Sequence, residues 1–350
     1  MRINTAGTNP DSITPMSMTR DAEWAQFTRA LASRRAFMKA GLAITAASAL
    51  PAVAAFAAPL DYALEATQIA PDTYAVYGAQ EQFSVANGGN IVNTAFVVTD
   101  EGVVVIDTGP SLRYGEALKA LIQKVANRDV VRVYITHHHP DHMLGNQAFE
   151  PSKLASTETV IANINSEGDM FAENMYRLVG DWMRGTEVRA PGTALTTSHE
   201  RFGTHEFELI PLAGHTSSDL VILDKTTGVL FAGDLAFLDR AATTPHADIA
   251  LWQKSLDQLD KSPFKVLLPG HGPAEESRRA IEQTRAYLNW LDRTLKTSIR
   301  NGDDMTEAMA SPIPQEFRSI ALVRDELGRS TSHLYPKYEE QMLPLVSGRS

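Results

Sequence analysis

Cysteine is absent from all 350 residues. Its absence excludes disulfides, thiol nucleophiles and thiolate metal sites. Positive charge is also scarce: 32 Lys and Arg stand against 42 Asp and Glu, a net charge of −10. Phosphate backbones and anionic membranes are bound through basic faces, so nucleic acid is not an expected partner. No G-x-S-x-G elbow, Walker-type phosphate loop or G-x-G-x-x-G fingerprint occurs, which removes the serine-hydrolase, P-loop and dinucleotide-binding templates. After residue 57 there is no repeat or low-complexity tract. The apolar run at 40–57 is Ala-rich and short for a membrane span, so no stable anchor is expected.

That run belongs to an address. Ser33-Arg34-Arg35-Ala36-Phe37-Met38-Lys39 has the look of a twin-arginine export motif, and the run ends in small residues that suit cleavage. Residues 1–57 are read as a twin-arginine signal peptide, with the export machinery as partner and the periplasm as destination. Either Met16 or Met18 would also serve as a start. Export of an already folded chain accounts for a protein that needs no disulfide in an oxidising compartment. The 293 residues that follow carry a net charge of about −13 and are enough for one large sandwich with helical additions.

The chemistry concentrates at His137-His138-His139-Pro140-Asp141-His142, which follows the apolar run Val130-Val131-Arg132-Val133-Tyr134-Ile135. Imidazoles and a carboxylate packed so closely suit a borderline divalent ion such as zinc. Three later segments each end an apolar run with a Gly beside one ligand-type residue. They are Leu209-Ile210-Pro211-Leu212-Ala213-Gly214-His215, Val229-Leu230-Phe231-Ala232-Gly233-Asp234 and Val266-Leu267-Leu268-Pro269-Gly270-His271. Each reads as a buried strand presenting a His or Asp at its tip. His138 should point away from its neighbours, as alternate residues do on an extended segment. His199, His205 and His333 lack surrounding motifs and read as surface groups. His246, in the loop after Asp234, is a candidate for the pocket.

Taken in order, these segments resemble the metallo-β-lactamase-fold hydrolase superfamily over about residues 72–275. Asp107, in Val105-Ile106-Asp107-Thr108-Gly109, matches the first motif; the His137 segment matches the second, and His215, Asp234 and His271 the rest. The resemblance implies two divalent metal ions, zinc foremost and Fe or Mn accepted. His137, His139 and His215 would hold one. Asp141, His142 and His271 would hold the other, with Asp234 as the bridge. Asp107 would orient a ligand from behind. Asp141 would also take part in proton transfer. The implied reaction is attack by metal-activated water on a carbonyl or phosphoryl centre.

Asp234 stands where one β-lactam-cleaving subclass carries cysteine, and so looks like members acting on thioesters, lactones and phosphoesters. Oxygen-reducing diiron relatives tend to place Glu where His139 stands, so this His favours hydrolysis. The leader, Asn90-Ile91-Val92-Asn93-Thr94 and Thr243-Thr244-Pro245-His246-Ala247-Asp248 resemble the branch associated with quinoprotein relay systems and sulfur-oxidation operons. The expected function is a periplasmic dinuclear hydrolase of a thioester, ester or lactone-like small molecule. Its alternatives are a true β-lactamase and a mononuclear iron sulfur dioxygenase.

Strand patterns fall at 73–78, 93–98, 102–107, 130–136, 206–212, 220–223, 229–232 and 265–268. Helical stripes follow at Leu112 to Val125 and at Ile249, Trp252, Leu256 and Leu259. Together these predict an α/β (α+β) fold, a four-layer αββα sandwich with the metals at one rim. The catalytic domain is placed at 58–275. A helical C-terminal extension, 276–350, would cover the sandwich, close the pocket or form a homodimer face. Within the helical stretch 157–184, Phe171, Tyr176 and Trp182 are candidates for the substrate wall.

Overall fold

The computed structural model describes residues 60–343, and the stretch 1–57 expected to be an export leader lies outside them. Two sheets dominate. The first runs β1 (Thr67–Ala70), β2 (Thr73–Val76), β3 (Thr94–Thr99), β4 (Gly102–Ile106), β5 (Val130–Tyr134), β6 (Leu154–Ser156) and β7 (Thr193–Ala194), side by side in sequence order. Its first four strands are antiparallel neighbours; from β4 onward the pairings are parallel. The second sheet holds β8 (His199–Phe202), β9 (His205–Leu212), β10 (Asp219–Asp224), β11 (Val229–Phe237) and β12 (Val266–His271), in the order β12-β11-β10-β9-β8.

The strands are apolar on both faces because both are covered. Ala95, Val97, Val104 and Ile106 point into the space between the sheets, where they meet Phe207, Leu209, Ile222 and Phe231. Their alternates Phe96, Val103 and Val105 point outward onto helices α1 (Leu112–Ala126) and α3 (Glu158–Val179). On the other sheet, Val221, Leu223 and Leu230 face α4 (Ile249–Lys261) and α5 (Arg279–Asn301). The period of two along each strand thus sorts one sequence into three apolar layers. The result is the four-layer αββα sandwich expected from the sequence.

The helix ends follow local chemistry. Ser111 caps α1, Thr157 caps α3 and Asp248 caps α4, each accepting from a backbone N–H of the first turn. Gly302, at φ +80°, closes α5 in the left-handed conformation. Asp304 and Glu307 form a capping box on the short helix α6 (Met305–Met309). The final helix, α7 (Val323–Met342), puts Leu327, Leu334 and Tyr338 into the same apolar cluster as α4 and α5. Among the described residues no helix is long and apolar enough to cross a membrane.

Strand direction gathers the chemistry. Since β9 and β11 are both antiparallel to β10, they run the same way, and β12 is parallel to β11. Their C-terminal ends therefore share a rim. β4 and β5 are parallel to one another and deliver the Asp107 and His137 segments.

Candidate metal centre

Five chain segments meet at that rim. After β5, the chain passes His137, His138 and His139 and enters the one-turn helix α2 (Pro140–Met143), which carries Asp141 and His142. His215 follows β9, while Asp234 and His271 lie within β11 and β12 themselves. The strand-tip expectation is thereby corrected for Asp234. β11 continues to Phe237, with its register to β12 broken on either side of Gly233. This irregularity re-aims the Asp234 side chain without ending the strand. A Cβ on Gly270 would lie 2.0 Å from Asp234 Oδ1, so a glycine there makes room for the carboxylate.

Two groups of donor atoms result. His137, His139, His215 and Asp234 form one; Asp141, His142 and His271 form the other. In the first, His139 Nδ1 lies 3.1 Å from His137 Nε2 and 2.9 Å from His215 Nε2. Asp234 joins the two groups. Its Oδ2 is 3.2 Å from His215 Nε2 and 3.9 Å from His137 Nε2. Its Oδ1 is 3.2 Å from His142 Nε2 and 3.4 Å from His271 Nε2. Asp141 Oδ2 completes the second group, 3.4 Å from His271 Nε2.

Electrostatics favour free lone pairs on two of the imidazoles and positive charge where the carboxylates gather. Burial, reinforced by neighbouring imidazoles, holds the pKa of His137 and of His139 well below the usual histidine range, so both keep lone pairs. Burial also opposes protonation of His142, but the carboxylates of Asp234, Asp107 and Asp141 outweigh it and raise its pKa. For Asp234 burial is outweighed by His271, His142 and His215, and the carboxylate is held ionised. Asp219, buried beside His215, is pushed up to about 6 by burial.

The residues fit divalent metal. His142 Nε2 and Asp234 Oδ1 are buried with no hydrogen-bond partner among the described residues. Leaving such atoms unsatisfied is costly, and a shared cation satisfies both at once. Three imidazole nitrogens converging on one point likewise suit a positive ion better than the few protons they can share.

The surroundings fix each ring. Asp107 accepts from the Thr136 backbone N–H and hydroxyl, both at 2.8 Å, and from His142 Nδ1 at 2.7 Å. That contact leaves His142 Nε2 free to face Asp234 and Asp141. Asp107 sits at φ +58°, a backbone region tolerated best by Gly, Asn and Asp. His271 Nδ1 donates to Ile91 O at 2.7 Å and its ring stacks on Phe237. Asn93 braces the same turn, donating to Pro269 O and Gly272 O. His215 stands edge-on to Trp252.

The proposed pocket residues divide. A cavity of about 290 Å³ opens over His139, Asp141, Asp234 and His271, and both Phe171 and His246 line it. His246 Nδ1 is 2.7 Å from His139 Nε2. Tyr176 and Trp182 are corrected: neither lines this cavity. Tyr176 is 53% exposed on another face of α3. Trp182 packs against Tyr62 and Gly88 and donates its indole N–H to Val85 O. Helical periodicity cannot say which apolar face meets a pocket. His138 turns away from Asp234, to Glu167 at 3.4 Å, yet forms a further donor group with His139 and His246. His199 and His333 are exposed, whereas His205 is buried, contrary to the surface reading. Sequence reasoning missed Phe83, Asn174, Arg240, Thr243 and Arg329, all of which line the cavity.

The pattern of the Metallo-beta-lactamase superfamily matches residues 87–271, just over half of the chain. The chain belongs to this superfamily. Among curated relatives, the linear primary-alkylsulfatase of Pseudomonas sp. is 24% identical over 248 residues, covering 56% of this chain and 45% of its own. The chain thus spans less than half of that protein's length. A metallo-beta-lactamase of Chryseobacterium indologenes is 25% identical over 62% of this chain and 83% of its own. An acyl-coenzyme A thioesterase of Homo sapiens is 24% identical over 61% and 84%. A solved metallo-beta-lactamase from Pontibacter korlensis superposes at TM-score 0.54 with 22% identity, over 65% of this chain and 99% of that one. Its likeness bears on fold alone. Together, the superfamily membership and the clustered His and Asp side chains place this protein among the metallo-hydrolase superfamily with groups able to bind metal.

Proposed function

We propose that this superfamily member is a dinuclear hydrolase acting on a thioester, ester or lactone, with zinc as the preferred metal and Fe or Mn as substitutes. The observation that carries the reading is Asp234, whose two oxygens each face a separate set of imidazole nitrogens. His137, His139 and His215 would hold one ion and Asp141, His142 and His271 the other. Bound ions would supply a water of lowered pKa and a Lewis acid for the attacked oxygen.

The chain's own residues do the rest. Asp107 holds His142 through Nδ1, so that Nε2 stays turned to the centre. Asp141 lies on the cavity wall, where a carboxylate can accept a proton and return it to the leaving group. Phe171, Ile91 and Leu178 exclude water from the acyl portion. Export by the twin-arginine route and a place near quinoprotein or sulfur oxidation complete the proposal. They rest on the 33–39 motif and on the segments around Asn93 and His246.

The test is metal analysis of purified protein with a substrate panel of thioester, lactone, β-lactam, alkyl sulfate and phosphodiester. About two ions per chain, with acyl turnover lost on chelation and restored by metal, is the expected result. Nitrocefin cleavage without acyl turnover would make it a β-lactamase. A single iron with oxygen uptake on a persulfide would replace hydrolysis by dioxygenation. Replacing Arg34 and Arg35 by Lys should retain the protein in the cytoplasm.

A further inference from the structure

The cavity over the metal centre has a second kind of wall. Arg240, in the loop after β11, and Arg329, on α7, both line it. Arg329 lies outside the residues matched by the superfamily pattern. The two guanidiniums share one buried carboxylate. Glu326 Oε1 is 3.8 Å from Arg240 Nη2 and 3.9 Å from Arg329 Nη1, too far for a hydrogen bond to either. Glu326 Oε2 accepts instead from the Thr243 hydroxyl at 2.7 Å, and Arg329 Nη1 donates to Thr243 Oγ1 at 3.3 Å.

Charge and hydrogen bonding are therefore both left incomplete. One carboxylate faces two guanidiniums, leaving a local surplus of positive charge in a chain whose net charge is −10. Arg240 is only 2% exposed, and its Nε has no hydrogen-bond partner among the described residues. A buried guanidinium with unused donors suits an oxyanion, which its planar fork matches in two bonds. Phe83, Phe171 and Leu178 line the same cavity and give it an apolar side.

We propose that Arg240 and Arg329 form a subsite for an anionic group of the substrate, a carboxylate or a sulfonate-like oxyanion carried on an apolar chain. The assignment rests on the reading of this cavity as the substrate pocket. It gives the C-terminal helix a direct part in specificity: α7 contributes the more accessible cation, and its Glu326 places a counter-charge between the two guanidiniums. A neutral substrate of the same length would fill the apolar side and leave the buried Arg240 Nε without an acceptor.

The test is calorimetric titration of the metal-loaded protein with octanoate, octane-1-sulfonate and octanamide. Wild type, Arg329→Gln and Arg329→Lys are compared; Arg329 is partly exposed, so the variants should fold. Metal content is measured for each. At least one anion should bind wild type about tenfold or more tightly than the amide. Arg329→Gln should lose about that factor for the anion, leaving amide affinity and metal content unchanged, and Lys should restore part of it. Loss for octanoate alone identifies a carboxylate; loss for both identifies an oxyanion in general. Equal weakening of anion and amide, unchanged anion affinity in Arg329→Gln, or no anion binding by wild type would overturn the subsite. Absence of turnover on every substrate would sink the hydrolase reading and leave this binding comparison standing.

Discussion

Two His–Asp arrangements sit at opposite ends of the same strand pair. At one end His205 opens β9 and Asp224 closes β10; at the other, His215 follows β9 and Asp219 opens β10. The residue types are the same and both ends are buried, yet their hydrogen bonding differs. His205 Nδ1 meets Asp224 Oδ2 at 2.9 Å, and Asp224 also accepts from Thr226 N and the Thr227 hydroxyl. That pair is self-sufficient. At the other end, His215 points its Nε2 at His139 and Asp234, and atoms of Asp234 and His142 are left without hydrogen-bond partners among the described residues. A buried His–Asp pair that satisfies itself holds structure. A cluster that cannot is organised for something added.

The comparison breaks first, and most heavily, at Asp234. Asp234→Ala should remove the bridge between the two donor groups and bring both metal content and turnover to background; full activity with no bound metal would refute the centre. Asp107→Asn should lower metal affinity about 10- to 100-fold, because His142 loses the acceptor that fixes its ring. Equilibrium dialysis measures it. Asp224→Asn, at the far end, should leave metal content unchanged and cost about 1–3 kcal/mol in denaturant unfolding. Its cost should depend on pH. The hydrogen bond to Asp224, against a smaller opposing effect of burial, raises the His205 pKa above the ordinary value of about 6.5. The ion pair therefore stabilises fully below about pH 6.5, and its contribution is lost as pH rises through the raised folded value. A wild-type advantage that grows with pH would contradict this. Tyr176→Ala should do least, within about 0.5 kcal/mol in stability and with kinetics unchanged, since the side chain is largely exposed away from the cavity.

Much of the sandwich was legible because period-two alternation and apolar runs are local signals. The strands at Thr94–Thr99, Gly102–Ile106 and Val130–Tyr134, and the helix at Leu112–Ala126, lie within a residue or two of their sequence readings. The short strands at Leu154–Ser156, Thr193–Ala194 and His199–Phe202 were missed, since two to four residues carry no period to detect. Asp234 read as a strand tip because a Gly before it looks like a stop; the bulge that lets β11 continue depends on pairing with β12. His205 read as surface because its partner is 19 residues away. Arg329 gave no signal at all, since only the packing of α7 brings it to the cavity.

By itself, the sequence determined the donor set and the layers. The spacing His137-x-His139-x-Asp141-His142 and the apolar runs ending near His215, Asp234 and His271 are properties of short segments, written in residue type and period. Tertiary structure alone decided which donors share a carboxylate, which histidine is satisfied and which arginines reach the pocket. Those outcomes depend on contacts between segments far apart in the chain, where strand direction, a bulge and the docking of a final helix place atoms within a few ångströms of one another.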